Sequence, residues 1–184
     1  MGRDETTSDD GVRTAAITTW LPVPEGTTDV LAMLPAGYDE LRTLYRSVWE
    51  AGVDAVTLEL CRLRIAMLLR SPVDAATRDP RAIAAGLDED VVDQLPAWPT
   101  SDRFTDAQRG ALALAEQFVI DPHGFTDDDA LAAHAHFTEP QLATLTIAIA
   151  VFDALTRVRC VLTTDDGGGT GTAVTAARIG VAFT

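Results

Sequence analysis

The fold is decided by residues 54–86, which read DAVTLELCRLRIAMLLRSPVDAATRDPRAIAAG. In the first half of this stretch, apolar residues recur at spacings of three and four, which is the spacing of one face of an α-helix. These residues are Leu58, Cys61, Ile65, Leu68 and Leu69. Asp54 is suited to cap the helix, because its carboxylate can accept the free amide hydrogens of the first turn. We therefore predict a helix that begins after Asp54 and presents an apolar face to a core.

The second half of the stretch predicts a new helix with an interruption. Ser71-Pro72-Val73-Asp74 has the order of a helix start, with a serine cap, a proline in the first turn and an acid at the third position. The helix should run toward Gly86. Pro80 lacks an amide donor and crowds the preceding turn, so we expect it to kink or shorten this helix.

The remainder of the chain is also predicted to be helical. Thr105-Asp106-Ala107-Gln108 and Thr138-Glu139-Pro140-Gln141 have the pattern of capping boxes, and each precedes a long apolar-periodic run. They predict long helices over 106–120 and 139–163, with a shorter helix over 127–136 between them. No segment shows sustained alternation of apolar and polar residues, so no sheet is predicted. The expected fold class is all-α.

Composition along the chain predicts three regions. Residues 1–18 are expected to form a flexible N-terminal leader, and residues 19–164 a single helical domain. Residues 165–184 begin with a glycine-rich linker and end in small apolar residues. This last segment is either a strap that packs on its own or a neighbouring subunit, or a docking tag for another protein.

The overall charge restricts the partners. The chain has 184 residues, 28 acidic against 14 basic, and a formal net charge of −14. Such a charge repels phosphate backbones and anionic membranes, so neither nucleic acid nor a membrane is an expected partner. The N-terminus lacks the basic start and apolar stretch of a secretory signal, and no apolar run reaches membrane-spanning length. We expect a cytoplasmic protein.

Cysteine and histidine usage argues against a metal or a disulfide scaffold. The two cysteines, Cys61 and Cys160, lie far apart in predicted helices, and both are expected to be small core side chains. His134 and His136 are two residues apart on a helix and therefore point in different directions. No glycine loop of the phosphate-binding kind follows a strand. We therefore expect no metal and no cofactor.

One stretch resembles a known family. Glu59-Leu60-x-x-Leu63-Arg64-Ile65-Ala66, followed by a helix that ends in Ala84-Ala85-Gly86, is similar to the core motif of the carboxymuconolactone decarboxylase and alkylhydroperoxidase (AhpD)-like superfamily. The similarity is ungapped over 28 residues and continues less tightly from Tyr38 to Leu162, about two thirds of the chain. The resemblance implies an AhpD-like helical domain that assembles into a homo-oligomer, a trimer or a hexamer.

In the peroxidase branch of this superfamily, a glutamate, a C-x-x-C pair and a histidine form a proton relay. The resemblance places Glu59 at the glutamate, Ser71 and Asp74 at the two cysteines, and Arg78 at the histidine. Peroxide reduction needs a reactive thiolate and a nearby resolving thiol, which serine and aspartate cannot supply. The resemblance therefore implies a member without thiol peroxidase chemistry. The closing helix also departs from the family's asparagine-rich pattern, with Asp153 and Thr156 in its place.

The altered site keeps residues suited to acid/base work and to anion binding. Glu59 is the expected proton-transfer group, with Ser71 and Asp74 as further candidate catalytic residues. Five of the 14 basic residues lie close together in sequence around this site. Among them, Arg78 is the expected clamp for a substrate carboxylate, because a guanidinium binds a carboxylate through two parallel hydrogen bonds. The other predicted substrate-binding residues are Arg64, Arg70 and His123.

Each of these assignments has a structural alternative. Ser71 and Asp74 are also the residues that a helix N-terminus prefers when no chemistry is required. The arginines could pair with Glu59 and Asp74 in an internal salt-bridge network, because buried charges need partners.

Three functional hypotheses follow. The first is a cofactor-independent decarboxylase, lyase or isomerase that acts on a small anionic carboxylate or a lactone metabolite. The second is a non-catalytic binding or scaffold member of the family. The third is an accessory or cargo protein docked through its C-terminal peptide. An open pocket bordered by Glu59, Ser71, Asp74 and Arg78 would favour the enzyme, and a filled one the scaffold.

Overall fold

A computed structural model describes residues 16–19, 30–33, 36–164 and 173–175 of the chain. Within these ranges, eight α-helices form the body, and two short 3-10 helices, Val30–Met33 and Leu95–Ala97, accompany them. The α-helices are α1 (Tyr38–Glu50), α2 (Ala55–Leu68), α3 (Pro72–Ala76), α4 (Pro80–Ala84), α5 (Glu89–Val92), α6 (Asp106–Ile120), α7 (Asp127–His134) and α8 (Glu139–Leu162). The prediction of a helical body is confirmed.

Helix α2 is the centre of the fold. It packs against α6 and α8, and also against α3 and α4. Leu58, Cys61 and Ile65 belong to one buried cluster, which contains residues of α1 and α8. Leu60 and Leu63 belong to a second cluster, with Trp98 and Phe104 among its other members. Because α2 is buried on both sides, its polar residues must find partners inside the protein.

The predicted capping residues determine where several helices begin. Asp54 accepts the Thr57 amide at 2.8 Å, and Thr105 forms a reciprocal capping box with Gln108 at the start of α6. Pro80 divides the predicted second helix into α3 and α4, because Asp79 caps a new start instead of continuing the first. The prediction of an interruption at Pro80 is therefore confirmed.

Helix α2 ends in an unusual way. The Ser71 amide donates to Ala66 O at 2.9 Å and the Arg70 amide to Met67 O at 3.2 Å, which is the hydrogen-bond pattern of a Schellman cap. Arg70 occupies the left-handed position of this cap, with φ of 55°. Glycine is the usual residue there, and Gly86 takes the same role after α4 with φ of 90°.

A short antiparallel sheet joins segments that are distant in sequence. Strand β1 (Ala16–Thr19) lies between β2 (Thr163–Thr164) and β3 (Ala173–Thr175). Thr18 pairs with Thr164 on one side and with Ala173 on the other. The prediction that no sheet forms was wrong at this point, because strands of two to four residues are too short to show an alternating pattern. The rest of the predicted leader and tail, 1–15, 165–172 and 176–184, lies outside the described residues.

Within the described ranges, no helix combines the length and the apolarity that are needed to cross a lipid bilayer.

Candidate functional site

Glu59 and Arg62 form a buried ion pair on α2. Arg62 donates from Nε to Glu59 Oε2 at 2.8 Å and from Nη2 to Oε1 at 2.6 Å. The Glu59 side chain has no exposed surface, and that of Arg62 is 9% exposed. Burial alone would lower the pKa of Arg62, but the hydrogen bond and the charge of Glu59 more than offset it, so this pKa lies above its ordinary value. Arg62 is therefore held as a cation.

Arg62 also links Glu59 to the turn that contains Ser71 and Asp74. Its Nη1 donates to the Asp74 carbonyl at 3.0 Å and its Nη2 to the Thr77 carbonyl at 2.6 Å. The same guanidinium thus binds a carboxylate of α2 and two backbone carbonyls at and beyond α3. The structure brings Glu59, Ser71 and Asp74 into one buried region.

Asp74 has a second ion-pair partner on α8. Arg159 donates from Nη1 to Asp74 Oδ1 at 2.9 Å, and Ser71 donates from its hydroxyl to Asp74 Oδ2 at 2.7 Å. Ser71 also accepts the Asp74 amide, at 3.4 Å, and so caps α3. The structural interpretation of Ser71 and Asp74 therefore describes real contacts, because the two residues start α3, and Asp74 in addition binds Arg159.

Asp79 is the third buried carboxylate. Its amide donates to Glu59 Oε1 at 3.0 Å, and its own carboxylate accepts from Arg81 Nη1 at 3.2 Å. The Tyr45 hydroxyl donates to Asp79 Oδ2 at 3.5 Å. Burial raises the pKa of Tyr45 to about 12, and the nearby carboxylates add to this rise while Arg62 and Arg159 oppose it. We call the set Glu59, Arg62, Asp74, Asp79, Arg81 and Arg159 the buried charge cluster; five of its members are buried, and the side chain of Arg81 is 28% exposed.

A narrow crevice lies beside this cluster. The volume open to the centre of a water molecule is about 10 Å³, which is room for about one water. The crevice is lined by Tyr45, Arg62, Asp74, Thr77, Asp79, Phe152, Leu155, Thr156 and Arg159. Of the predicted catalytic residues only Asp74 is in this lining, so the crevice is not the wide pocket that an enzyme of the predicted kind would show.

Arg78 does not reach the buried charge cluster. It donates to Glu89 on α5, with Nε 3.0 Å from Oε1 and Nη2 3.0 Å from Oε2. Its Nη1 donates to the carbonyls of Ala75 and Thr77. The chain leaves α3 in an extended conformation at Thr77, and this carries the Arg78 side chain away from Glu59. Sequence spacing alone could not show that change of direction.

The other predicted substrate-binding residues also lie elsewhere. Arg64 binds Glu116 of α6, which also accepts from Trp98 Nε1 at 2.7 Å. Arg70 is exposed at the end of α2, and His123 is exposed on the loop after α6. The structure does not bring these three residues together with Glu59 or with one another.

The two cysteines differ in their surroundings. Cys61 is fully buried, and burial raises the pKa of its thiol to about 12, far from the reactive range. Cys160 was expected in the core, but it is exposed near the end of α8. The expectation for Cys160 was wrong because α8 has apolar residues on more than one side, among them Val158 and Val161, which are also exposed. Within the described ranges, no group of three or more histidine, cysteine, aspartate or glutamate side chains is arranged to hold a metal ion.

Sequence reasoning missed part of the cluster and part of the crevice lining. Tyr45, Asp79 and Arg159 were not selected, and Thr156 was noted only as a departure from the family pattern. Arg159 lies 85 residues after Asp74, so no local spacing connects them. Asp79 had a readable signal as the residue before Pro80, where an aspartate commonly caps a helix.

The fold has a counterpart among solved structures. The chain is similar to the crystal structure of a protein of unknown function from Agrobacterium tumefaciens, described as a putative antioxidant defence protein AhpD. The TM-score is 0.64, with 19% sequence identity, and the match covers 70% of this chain and 88% of the other. No family profile and no curated protein sequence matches the chain. The likeness shows that the chain has the AhpD-like helical fold.

Proposed function

We propose that this protein is a non-catalytic structural or binding member of the AhpD-like group, in which an internally neutralised charge cluster stands where its redox relatives carry reactive groups. One observation carries this proposal. Each carboxylate of the cluster is bound by an arginine of the same cluster: Glu59 by Arg62, Asp74 by Arg159 and Asp79 by Arg81. Three negative and three positive side chains therefore balance.

This balance works against the binding of an anionic substrate. A substrate carboxylate would have to displace one of the protein carboxylates from its arginine. The displaced carboxylate would remain buried without a counter-charge, which costs several kcal/mol. The small anionic metabolite expected from the sequence would need a lining of net positive charge, and the charges that line the crevice, Arg62 and Arg159 against Asp74 and Asp79, cancel.

Thiol chemistry has no support either. The sequence contains no C-x-x-C pair, and the buried thiol of Cys61 is held protonated at neutral pH by its raised pKa. Cys160 is exposed, but a peroxidase of this type needs a second thiol close enough to form a disulfide with the first. We therefore keep the exclusion of cysteine-dependent peroxidase activity as part of the proposal.

The second candidate is a cofactor-independent acid/base enzyme, for which one contact between two proton-bearing side chains of the crevice lining gives support. Tyr45 and Asp79 meet at its lining and could exchange a proton with a small molecule there. Because the lining is neutral, the substrate of such an enzyme would be uncharged.

A hydroxyl deletion separates the two candidates. Tyr45→Phe removes the proton-bearing group from the crevice, and Tyr38→Phe on the same helix is the matched control. Purified protein would be incubated with small lactones, ketones and carboxylates, and products followed by NMR. The structural proposal expects no turnover above the protein-free reaction for any variant. Turnover by the native protein that Tyr45→Phe abolishes and Tyr38→Phe keeps would overturn it in favour of the enzyme.

A scaffold subunit should also assemble. We propose a cytoplasmic homo-oligomer, a trimer or hexamer, as the resemblance implies. Light scattering of the purified chain tests this, and a monomer at micromolar concentration would contradict it. The docking-tag hypothesis concerns mainly residues 176–184, outside the described residues, and it stays a prediction.

A further inference from the structure

Thr156 differs from the other threonines of α8 in the use of its hydroxyl. Thr144 and Thr146 donate to the carbonyls four residues earlier, Pro140 O at 2.9 Å and Leu142 O at 2.8 Å. Thr156 makes no such bond, and its hydroxyl has no hydrogen-bond partner in the described part of the chain. The residue is nevertheless only 2% exposed and lines the crevice. Thr156 is therefore a buried residue of the crevice lining whose hydroxyl does not bond to its own helix.

The surroundings of Thr156 restrict what the crevice can hold. About 10 Å³ is open to the centre of a water molecule, which limits the occupant to roughly the size of one water. The two arginines and two aspartates of the lining cancel in charge, so an ion would be left without a counter-charge in a buried place. An apolar occupant would leave the Thr156 hydroxyl unsatisfied. The occupant must be small, uncharged and able to form hydrogen bonds.

We propose that the crevice is a binding site for one small uncharged hydrogen-bonding molecule, which is water in the free protein, and that the Thr156 hydroxyl is its anchoring contact. Carboxylate oxygens and guanidinium hydrogens of the lining supply the further partners that a buried water requires. The bound water extends the buried charge cluster to α8 at a second point, beside Arg159. This inference goes beyond the proposed function and holds whether the cluster is structural or catalytic.

The test compares Thr156→Val with two other variants. Valine keeps the shape of threonine and removes the hydroxyl, Thr156→Ser keeps the hydroxyl, and Thr146→Val removes a hydroxyl from the exposed side of the same helix. Circular dichroism first establishes that each variant is folded. Crystal structures at high resolution and water-to-protein nuclear Overhauser effects then report on bound water at the crevice.

We expect a water within hydrogen-bond distance of Thr156 Oγ1 in the native protein, in Thr156→Ser and in Thr146→Val. In Thr156→Val we expect this water to be absent. The Overhauser effects that connect it to the Tyr45 and Thr156 protons in the native protein should be lost with it. A native structure in which the Thr156 hydroxyl donates to the Phe152 carbonyl, with no water in the crevice, would overturn the proposal. So would a water that persists unchanged in Thr156→Val. Neither result depends on turnover, so failure here is distinguishable from failure of the proposed function.

Discussion

Helix α2 carries two arginines whose ion pairs lie on different sides of the helix. Arg62 and Arg64 are two residues apart, which turns their side chains about 200° from each other around the helix. Arg62 binds Glu59 in the buried charge cluster, where the two side chains are 9% and 0% exposed. Arg64 binds Glu116 at the edge of the second apolar cluster, where the side chains are 17% and 22% exposed. Two nearly adjacent arginines of one helix thus have different environments.

The difference shows how burial changes the role of an ion pair. Arg62 makes four hydrogen bonds to protein oxygens, and few of its donors are left for any ligand. Water can reach both Arg64 and Glu116, so the loss of one partner is partly compensated by solvent. We therefore expect replacement of Arg62 to lower the free energy of unfolding far more than the same replacement of Arg64.

The largest effect is expected when Arg62 is replaced by methionine. Arg62→Met leaves the Glu59 carboxylate buried without a cation, and should lower the free energy of unfolding by about 3–5 kcal/mol. Urea unfolding followed by circular dichroism measures this. Arg78→Met, which breaks the more exposed pair with Glu89, is the matched control and should cost at most about 1 kcal/mol. Equal losses in the two variants would remove the distinction between buried and exposed pairs.

The next effect on the free energy of unfolding is expected at alkaline pH. Burial raises the pKa of Tyr45 from 10.0 to about 12 and that of Cys61 from 9.0 to about 12. Both groups lose their protons more easily in the unfolded chain, so the stability they contribute is complete below pH 9 and is lost as the pH rises to about 12. The share of Tyr45 in this loss should be on the order of 3 kcal/mol.

Urea unfolding at stepped pH measures this loss. Tyr45→Phe should make the dependence shallower, while Tyr38→Phe should leave it unchanged. A native protein whose stability does not change between pH 9 and pH 12 would contradict the burial of both groups.

A smaller effect is expected on the other side of α2. Arg64→Met should lower the free energy of unfolding by about 1–2 kcal/mol, because Glu116 keeps its hydrogen bond from Trp98 and some contact with water. Chemical denaturation measures the change, and Trp98 fluorescence reports whether the indole stays in place. A decrease in the free energy of unfolding as large as that of Arg62→Met would show that contact with water does not reduce the cost of breaking this ion pair.

The smallest effect concerns the end of the same helix, and here the sign is reversed. Arg70 holds a left-handed conformation that glycine adopts with less strain. Arg70→Gly should therefore raise the free energy of unfolding by about 0.5–1 kcal/mol, and Gly86→Ala at the equivalent cap of α4 should lower it by about 1 kcal/mol. Thermal unfolding of the two variants and of the native protein measures these changes. Destabilisation by Arg70→Gly would show that the arginine side chain makes a contribution that outweighs its strained backbone.

The elements of the fold were predictable where the signal is local. Asp54, Thr105 and Pro80 act within a turn of their own position, and each begins or interrupts a helix as expected. Glu59 and Arg62, three residues apart, could also be paired from spacing on a helix. The short sheet could not be foreseen, because it joins residues near 17, 164 and 174 through strands too short to carry a pattern.

The candidate site was predictable only in part, for the same reason. Glu59, Ser71 and Asp74 meet because they lie on consecutive elements joined by a tight turn. Arg78 follows an extended residue and points to α5 instead. Arg159 and Asp74 are brought together by the packing of α8 against the rest of the body, which depends on the whole set of helix contacts.

The contact between Asp74 and Arg159 also has a consequence for biosynthesis. At roughly 5–20 residues per second, a ribosome adds Arg159 about 4–17 s after Asp74, since 85 residues separate them. During that interval the nascent chain can already form the local pair of Glu59 and Arg62, but Asp74 lacks its cation. Translation that stalls within α8 before Arg159 is added therefore yields a chain that cannot form the ion pair with Asp74. Such a product is a natural substrate for chaperones and proteases.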